Sequence, residues 1–240
     1  MPVSVPRMTL PSRQEKPAYV SRMFGGIAGH YDLMNRLMTA GRDGAWRAAA
    51  VRWLDPQPGH LVLDVGTGTG DFLPLLAGRG CQAVGADFSL PMMRAGREKL
   101  ARASAPVSLV AGDAMRLPFP DATFDGLVNG FLLRNVADLD AALAEMRRVL
   151  KPGGLAVCLE ITWPRLPLFR EAFGLYFGRL VPLLGRLISR DPEAYSYLPS
   201  SVAAFVSASE LAERMQAVGF REVAYRRLAL GAVALHRGVR

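Results

Sequence analysis

Leu61-Val62-Leu63-Asp64-Val65-Gly66-Thr67-Gly68-Thr69-Gly70 is an apolar run that breaks into a glycine-rich turn. A strand ending this way hands the chain to a helix. Glycines at 66, 68 and 70 leave no β-carbon in the path of a ligand, which can lie on bare backbone beneath the N–H groups of the next helix. Alone, the pattern also fits an ordinary tight turn. Asp87 strengthens the first reading, because it stands 23 residues past Asp64, at the tip of a second apolar run over residues 83–86. A carboxylate there can accept both hydroxyls of a ribose, so the two stretches outline a nucleotide pocket.

Strands and helices alternate beyond the loop. Residues 71–77 read as a helix, Ser89 caps another with Pro91 in its first turn, and residues 107–111 and 124–129 read as strands. Asp138 caps a helix to Leu150, and residues 155–161 form a fifth strand after the stop at Pro152-Gly153-Gly154. This alternation predicts a parallel, doubly wound sheet. The end of the chain departs from it. Ser207 with Glu210 makes a capping box, Gly219 ends that helix, and the strand-like runs 221–228 and 232–238 have only Gly231 and its neighbours between them. So short a link joins antiparallel strands, whereas the second half of a dinucleotide fold would be parallel throughout.

Ahead of the loop, Val20, Met23, Phe24, Ile27, Tyr31, Met34 and Leu37 recur at helical spacing, and a helix starting at Asp43 runs to Leu54. Residues 17–55 are therefore expected to be helices that close over the ligand. Residues 1–16, proline-rich and without apolar periodicity, read as a loose lead-in.

The 240 residues, 50% hydrophobic and 21% charged, suit one large domain with a sizeable core. No 18-residue uncharged apolar stretch and no N-terminal apolar signal region are visible, so a cytoplasmic location is expected. Cys81 and Cys158 fall in predicted strands as reduced core thiols, and His30, His60 and His236 are scattered, so no metal site is expected. The net charge of +8 invites a nucleic acid or an anionic membrane, but with three lysines among 29 basic residues it also fits arginine-rich composition.

These residues resemble a class I S-adenosylmethionine-dependent methyltransferase, a Rossmann-like α/β fold whose mostly parallel sheet ends in such a hairpin. More narrowly, residues 20–238 are similar to the ubiquinone and menaquinone biosynthesis C-methyltransferases. The stretches that carry this are MFGGIAGHYDLMN, LDVGTGTGD, GADFS, GDAMRLPFPDATFD, FLLRNVADLDAALAEMRRVLKPGG, LE before Trp163-Pro164, YSYLPSSV and GAVALHRG. Among them YDLMN, LRNV and ALHRG are the more specific, while several of the others recur across class I enzymes.

The resemblance implies S-adenosylmethionine as cofactor. Gly66, Gly68, Thr69 and Gly70 would hold its amino-acid end, Asp87 its ribose, and Asp113 with Ala114 its adenine. Asp64, just before the loop, could meet its ammonium group. Family members commonly carry a serine where this chain has Gly130, so that hydroxyl is missing, and Asn129, the adjacent polar side chain, is the candidate to replace it against the cofactor. The implied substrate is a prenylated quinol, a demethylmenaquinol or its benzoquinol counterpart, methylated at a ring carbon. A sulfonium methyl already sits on a good leaving group, so the protein has to align it and enrich the ring in electrons. Arg134 would stabilise the developing phenolate, Asn135 would hydrogen-bond it, and His30, Tyr31 and Asp32 are the candidates for a base. Each has a plainer reading: His30 facing solvent, Tyr31 a core aromatic, Asp32 a helix cap, Arg134 paired with Asp138.

Residues 164–206 form an insertion. Its apolar residues are edged by Arg165, Arg170, Arg179, Arg186 and Arg190, as a helical pair divided at Pro182 that would wall a prenyl tunnel and rest on anionic lipid at the inner membrane surface. A homodimer interface or a plain helical cap is the competing reading. Other classes fit less well. A dehydrogenase conflicts with the closing hairpin. A nucleic-acid methyltransferase would want a basic stripe interleaved with aromatics, and no nucleic acid is expected as a partner. A methyltransferase of another small molecule or secondary metabolite shares the cofactor half and is the main alternative, and a non-catalytic cofactor-binding protein is the other.

Overall fold

The computed structural model describes residues 8–102, 107–183 and 192–240. Its frame is a seven-stranded sheet of order β3-β2-β1-β4-β5-β7-β6, formed by Leu61–Val65 (β1), Gln82–Asp87 (β2), Val107–Ala111 (β3), Phe124–Gly130 (β4), Leu150–Ile161 (β5), Arg221–Leu228 (β6) and Val233–Val239 (β7). Strands β1 to β5 are parallel, and β7 runs antiparallel between β5 and β6. The sheet therefore follows the pattern of the sequence. One boundary differs: β5 begins at Leu150 rather than 155, because Leu150 pairs with Phe124 and Leu155 with Gly126, so the Lys151–Gly154 turn bulges out within the strand.

β1 lies at the middle, with Val62 and Leu63 fully buried, as a strand covered on both faces requires. On one face, Asp43–Leu54 (α3), Leu73–Ala77 (α4) and Leu90–Arg102 (α5) supply Leu54, Leu73, Leu76 and Leu100 to the core. On the other, Leu139–Val149 (α6) and Ala208–Ala217 (α9) supply Leu143, Met146, Leu211 and Met215. The helix starts are satisfied as their sequences imply. Asp138 accepts the N–H groups of Asp140 and Ala141, each at 3.1 Å, and Ser207 accepts that of Glu210 at 3.2 Å.

A cap covers the carboxyl ends of the strands. Lys16–Ile27 (α1) and Tyr31–Met38 (α2) pack Val20, Met23, Ile27 and Met34 against Val181, Tyr195 and Tyr197, the tyrosines standing on Pro192–Ala204 (α8). One expectation fails here. Of the lead-in, residues 8–15 are not loose: Met8 N donates to Ser200 Oγ at 3.1 Å, and Met8 and Leu10 join the apolar cluster. Helix is described through Pro182 to Leu183, and the expected second helix beyond it lies outside the described residues. Pro167–Leu175 (α7) continues through a π-helical turn, Tyr176–Leu180, and helix resumes over 181–183. Arg186 and Arg190 lie outside the described residues, as do residues 1–7.

Candidate active site

In register, Val65 faces Ala86 of β2 and Asn129 of β4, so the glycine turn, Asp87 and Gly130 leave the sheet side by side. That is the crevice at which open α/β sheets bind ligands. Gly66, Gly68 and Gly70 all take positive φ, of 68°, 56° and 82°, which a side chain would resist. Asp87 Oδ2 accepts Gly68 N and Oδ1 accepts Ser89 N, both at 2.8 Å. Burial pushes its carboxyl above the usual range, against the pull of these backbone N–H groups. Asp64 is buried and takes Thr67 Oγ1 at 2.6 Å on Oδ2, while Oδ1 has no partner among the described residues. Its pKa is pushed up to about 7, chiefly by burial.

Other candidates are engaged elsewhere. The Thr69 hydroxyl donates to Asp32 Oδ1 at 2.6 Å, and Lys99 Nζ donates to Asp32 Oδ2 at 2.8 Å. Lys99 also pairs with Asp71, which Arg47 reaches at 3.2 Å. Burial alone would raise the Asp71 carboxyl, but Arg47 and Lys99 hold it below its ordinary range. These charges tie α2 to the glycine turn, to α3 and to α5, so Asp32 and Thr69 latch the cap to the turn. His30 is exposed ahead of α2. Gly70 is packed by Leu73 and Leu100, and a β-carbon there would come within 2.9 Å of Leu100. Asn129 turns its amide to Cys158 Sγ at 3.0 Å, on the core face it shares with Leu127, and so does not stand in for the missing hydroxyl at Gly130. Asp113 is exposed and accepts Met115 N at 2.9 Å, and Ala114 is buried in the core behind it.

The segment after β4 carries the most chemistry. Phe131 takes φ +61°, an outlier for a bulky residue, and the 3-10 turn Leu133–Asn135 follows. Arg134 Nη1 donates to Glu160 Oε1 at 2.5 Å and to the Phe131 carbonyl at 2.8 Å. Its partner is thus Glu160, while Asp138 caps α6 and pairs with Arg13. Asn135 Nδ2 donates to the Phe131 carbonyl at 3.0 Å. Arg134 Nε and Asn135 Oδ1 have no partner among the described residues. From the cap, Lys16 Nζ donates to the carbonyls of Arg134 and Val136 at 2.9 and 2.8 Å.

Two hollows meet here. A cavity of about 520 Å³ is walled mainly by apolar side chains, among them Met23, Phe169, Phe173, Phe177 and Leu198, with Asn35, Thr39, Arg42, Arg134, Asn135 and Tyr197 among its polar members. Beside it a smaller hollow is lined by Gly66, Gly68, Asp87 and Leu132. Phe24, Tyr31, Phe131 and Asn135 line both, so these four stand at the junction. Burial raises the Tyr31 phenol above its ordinary value, leaving it a protonated hydrogen-bond donor at neutral pH.

Residues 12–240 match the ubiE/COQ5 methyltransferase family. The chain belongs to that family. Among its relatives, the demethylmenaquinone methyltransferase of Roseiflexus castenholzii is 49% identical over 233 residues, 96% of this chain and 97% of that protein. The demethylmenaquinone methyltransferase of Thermobifida fusca is 44% identical over 227 residues, 93% of this chain and 95% of that one. A solved S-adenosylmethionine-dependent methyltransferase from Aquifex aeolicus shares the fold at a TM-score of 0.60 and 19% identity, covering 87% of this chain and 96% of the other. The cyclase SpnF does so at a TM-score of 0.61 and 16% identity, over 98% of both chains. One fold therefore serves different chemistries, and it is the family match that makes this ubiE/COQ5 member an S-adenosylmethionine-dependent methyltransferase.

Sequence reading passed over Glu160, Arg47 and Tyr197. Glu160 was quoted within a motif but given no role. The signal it carried was a lone carboxylate at the end of an otherwise apolar strand, where a fully buried charge needs a partner.

Proposed function

We propose that this enzyme methylates a ring carbon of a prenylated quinol, a demethylmenaquinol. The observation that carries the proposal is the junction of the two hollows, where an apolar cavity large enough for a prenylated ring meets the glycine turn beside Arg134. The names of its relatives favour the naphthoquinol over the benzoquinol.

The residues present fit the cofactor. Gly66 and Gly68 offer bare backbone, Asp87 has lone pairs left for a ribose diol, and the unpartnered Asp64 Oδ1 suits an ammonium group. Bound S-adenosylmethionine supplies a methyl group already attached to a sulfonium. The protein then aligns the ring carbon, excludes water and stabilises charge on the ring oxygen. Apolar walls and the aromatics at the junction do the first two. Arg134, fixed on Glu160 in the cavity wall with Asn135 beside it, places its charge near the oxygen on which negative charge develops.

The outer surface supports a substrate drawn from lipid. Leu166, Leu168, Leu175, Leu180 and Leu183 are exposed along the insertion, Leu168 by 82%, and Arg165, Arg170 and Arg179 stand among them. Leu37 is both exposed and part of the cavity wall, so the cavity opens beside this face. No described helix is long and apolar enough to cross a membrane, and such a face suits peripheral contact with anionic lipid.

The reaction is tested with methyl-labelled S-adenosylmethionine and reduced prenylated demethylnaphthoquinol and benzoquinol. Label on a naphthoquinol ring carbon is expected, and none on either ring while the cofactor binds would overturn the reading. Flotation with phosphatidylglycerol vesicles is expected to carry the protein, with weaker binding to phosphatidylcholine. Binding to neither lipid, with dimers in solution, would reassign the leucine face to a second copy of the chain.

A further inference from the structure

We propose that Glu160 is a positioning residue for methyl transfer, acting through Arg134; the inference rests on the quinol reading above. Three observations carry it. First, Glu160 is fully buried at the end of β5, and its carboxylate is held from two sides: Oε1 by Ile161 N at 2.9 Å and Oε2 by Arg134 N at 3.4 Å. It therefore has a fixed place relative to the segment after β4. Second, the same carboxylate takes Arg134 Nη1 at 2.5 Å, and the Phe131 carbonyl shares that nitrogen. One corner of the guanidinium is pinned to the protein, while Nε is left without a partner among the described residues, on a side chain that lines the cavity. Third, the backbone that carries Arg134 is gripped by Lys16 from the cap, so the side chain and its segment are held independently.

An arginine on an open cavity wall has several rotamers, and a planar fork donates well only when its plane is set. Glu160 removes that freedom. It also pairs the charge of Arg134. The ring then enters beside a paired guanidinium instead of a bare one, and the fixed charge of Arg134 still stabilises the oxygen once it becomes anionic. The pairing sits where the cap, β4 and β5 converge, and Tyr197 on α8 lies close enough to feel both charges.

The test compares Glu160→Asp, Glu160→Gln, Arg134→Gln and the double variant Arg134→Gln/Glu160→Gln with the full-length wild type, on the quinol the wild type methylates. Glu160→Asp keeps the charge but draws it back by one methylene. Its kcat is expected to fall at least tenfold, with the S-adenosylhomocysteine Kd changing less than threefold by calorimetry. Because Glu160 acts through Arg134, the double variant should show the kcat of Arg134→Gln alone. Losses that multiply in the double variant would overturn the proposal, as would an unchanged kcat in Glu160→Asp. If Glu160→Gln does not fold, the double variant, with neither charge buried, and Glu160→Asp still give the answer. No turnover by the wild type on any quinol would strike the functional reading instead, and is seen before any variant is compared.

Discussion

Replacing Arg134 by glutamine is expected to lower kcat on demethylmenaquinol by roughly 10²–10³-fold while the cofactor Kd changes little. Arg134 lines the substrate cavity and not the smaller hollow that holds the glycine turn and Asp87, so its loss should fall on the chemical step. The same change has a structural signature. It leaves Glu160, a fully buried carboxylate, with two backbone N–H groups and no cation. Breaking a buried pair by removing one partner costs about 3–5 kcal/mol. For a chain of this size that is a fall in Tm of roughly 6–20 °C. Scanning calorimetry checks the fall in Tm, and steady-state kinetics checks the turnover. Wild-type kcat in a folded Arg134→Gln would remove the arginine from the mechanism.

The frame of the molecule was legible because local signals agreed with one another. The apolar runs, the glycine turn, the caps at Asp138 and Ser207 and the closing hairpin each dictate backbone geometry within a few residues, and the sheet assembled from them as expected. Asp87 was legible for the same reason, as a strand-tip residue facing a turn 19 positions away. What escaped were pairings across long separations. Thr69 with Asp32 spans 37 positions and Arg134 with Glu160 spans 26, and no periodicity encodes which cation meets which carboxylate.

Asn129 was misplaced for a different reason. Strand alternation puts it on the face of Leu127, toward Met146 and Cys158, and the period of two was there to be read. The lead-in was misjudged because prolines suppress helical periodicity without preventing packing, as Met8 and Leu10 show. Thr69 and Asp32, read as a cofactor contact and a base, have a joint role that neither implied alone: with Lys99, Asp71 and Arg47 they fasten the cap over the glycine turn.

Asp87→Ala is expected to raise the Kd for S-adenosylhomocysteine by roughly 10²–10⁴-fold, with a much smaller loss in kcat at saturating cofactor. The magnitude follows from the geometry. The carboxylate accepts Gly68 N and Ser89 N, and in the proposed cofactor pose it also accepts the two ribose hydroxyls. Hydrogen bonds to a charged group contribute about 1.5–3 kcal/mol each, so losing two costs about 3–6 kcal/mol. Alanine also leaves the Gly68 N–H without its acceptor, in a turn held at positive φ. Asp87→Asn weakens both contacts at once. Its carboxamide can still accept from one backbone N–H but must turn its own NH₂ toward the other, so it should bind the cofactor nearly as poorly as alanine does. Ribose contacts are the same in ground and transition states, so the penalty belongs in KM for the cofactor. Arg134→Gln should show the reverse pattern, a loss in kcat with cofactor affinity kept. If calorimetry gave wild-type affinity for Asp87→Ala, the carboxylate would be only a brace for the glycine turn, and the ribose would be held by other groups.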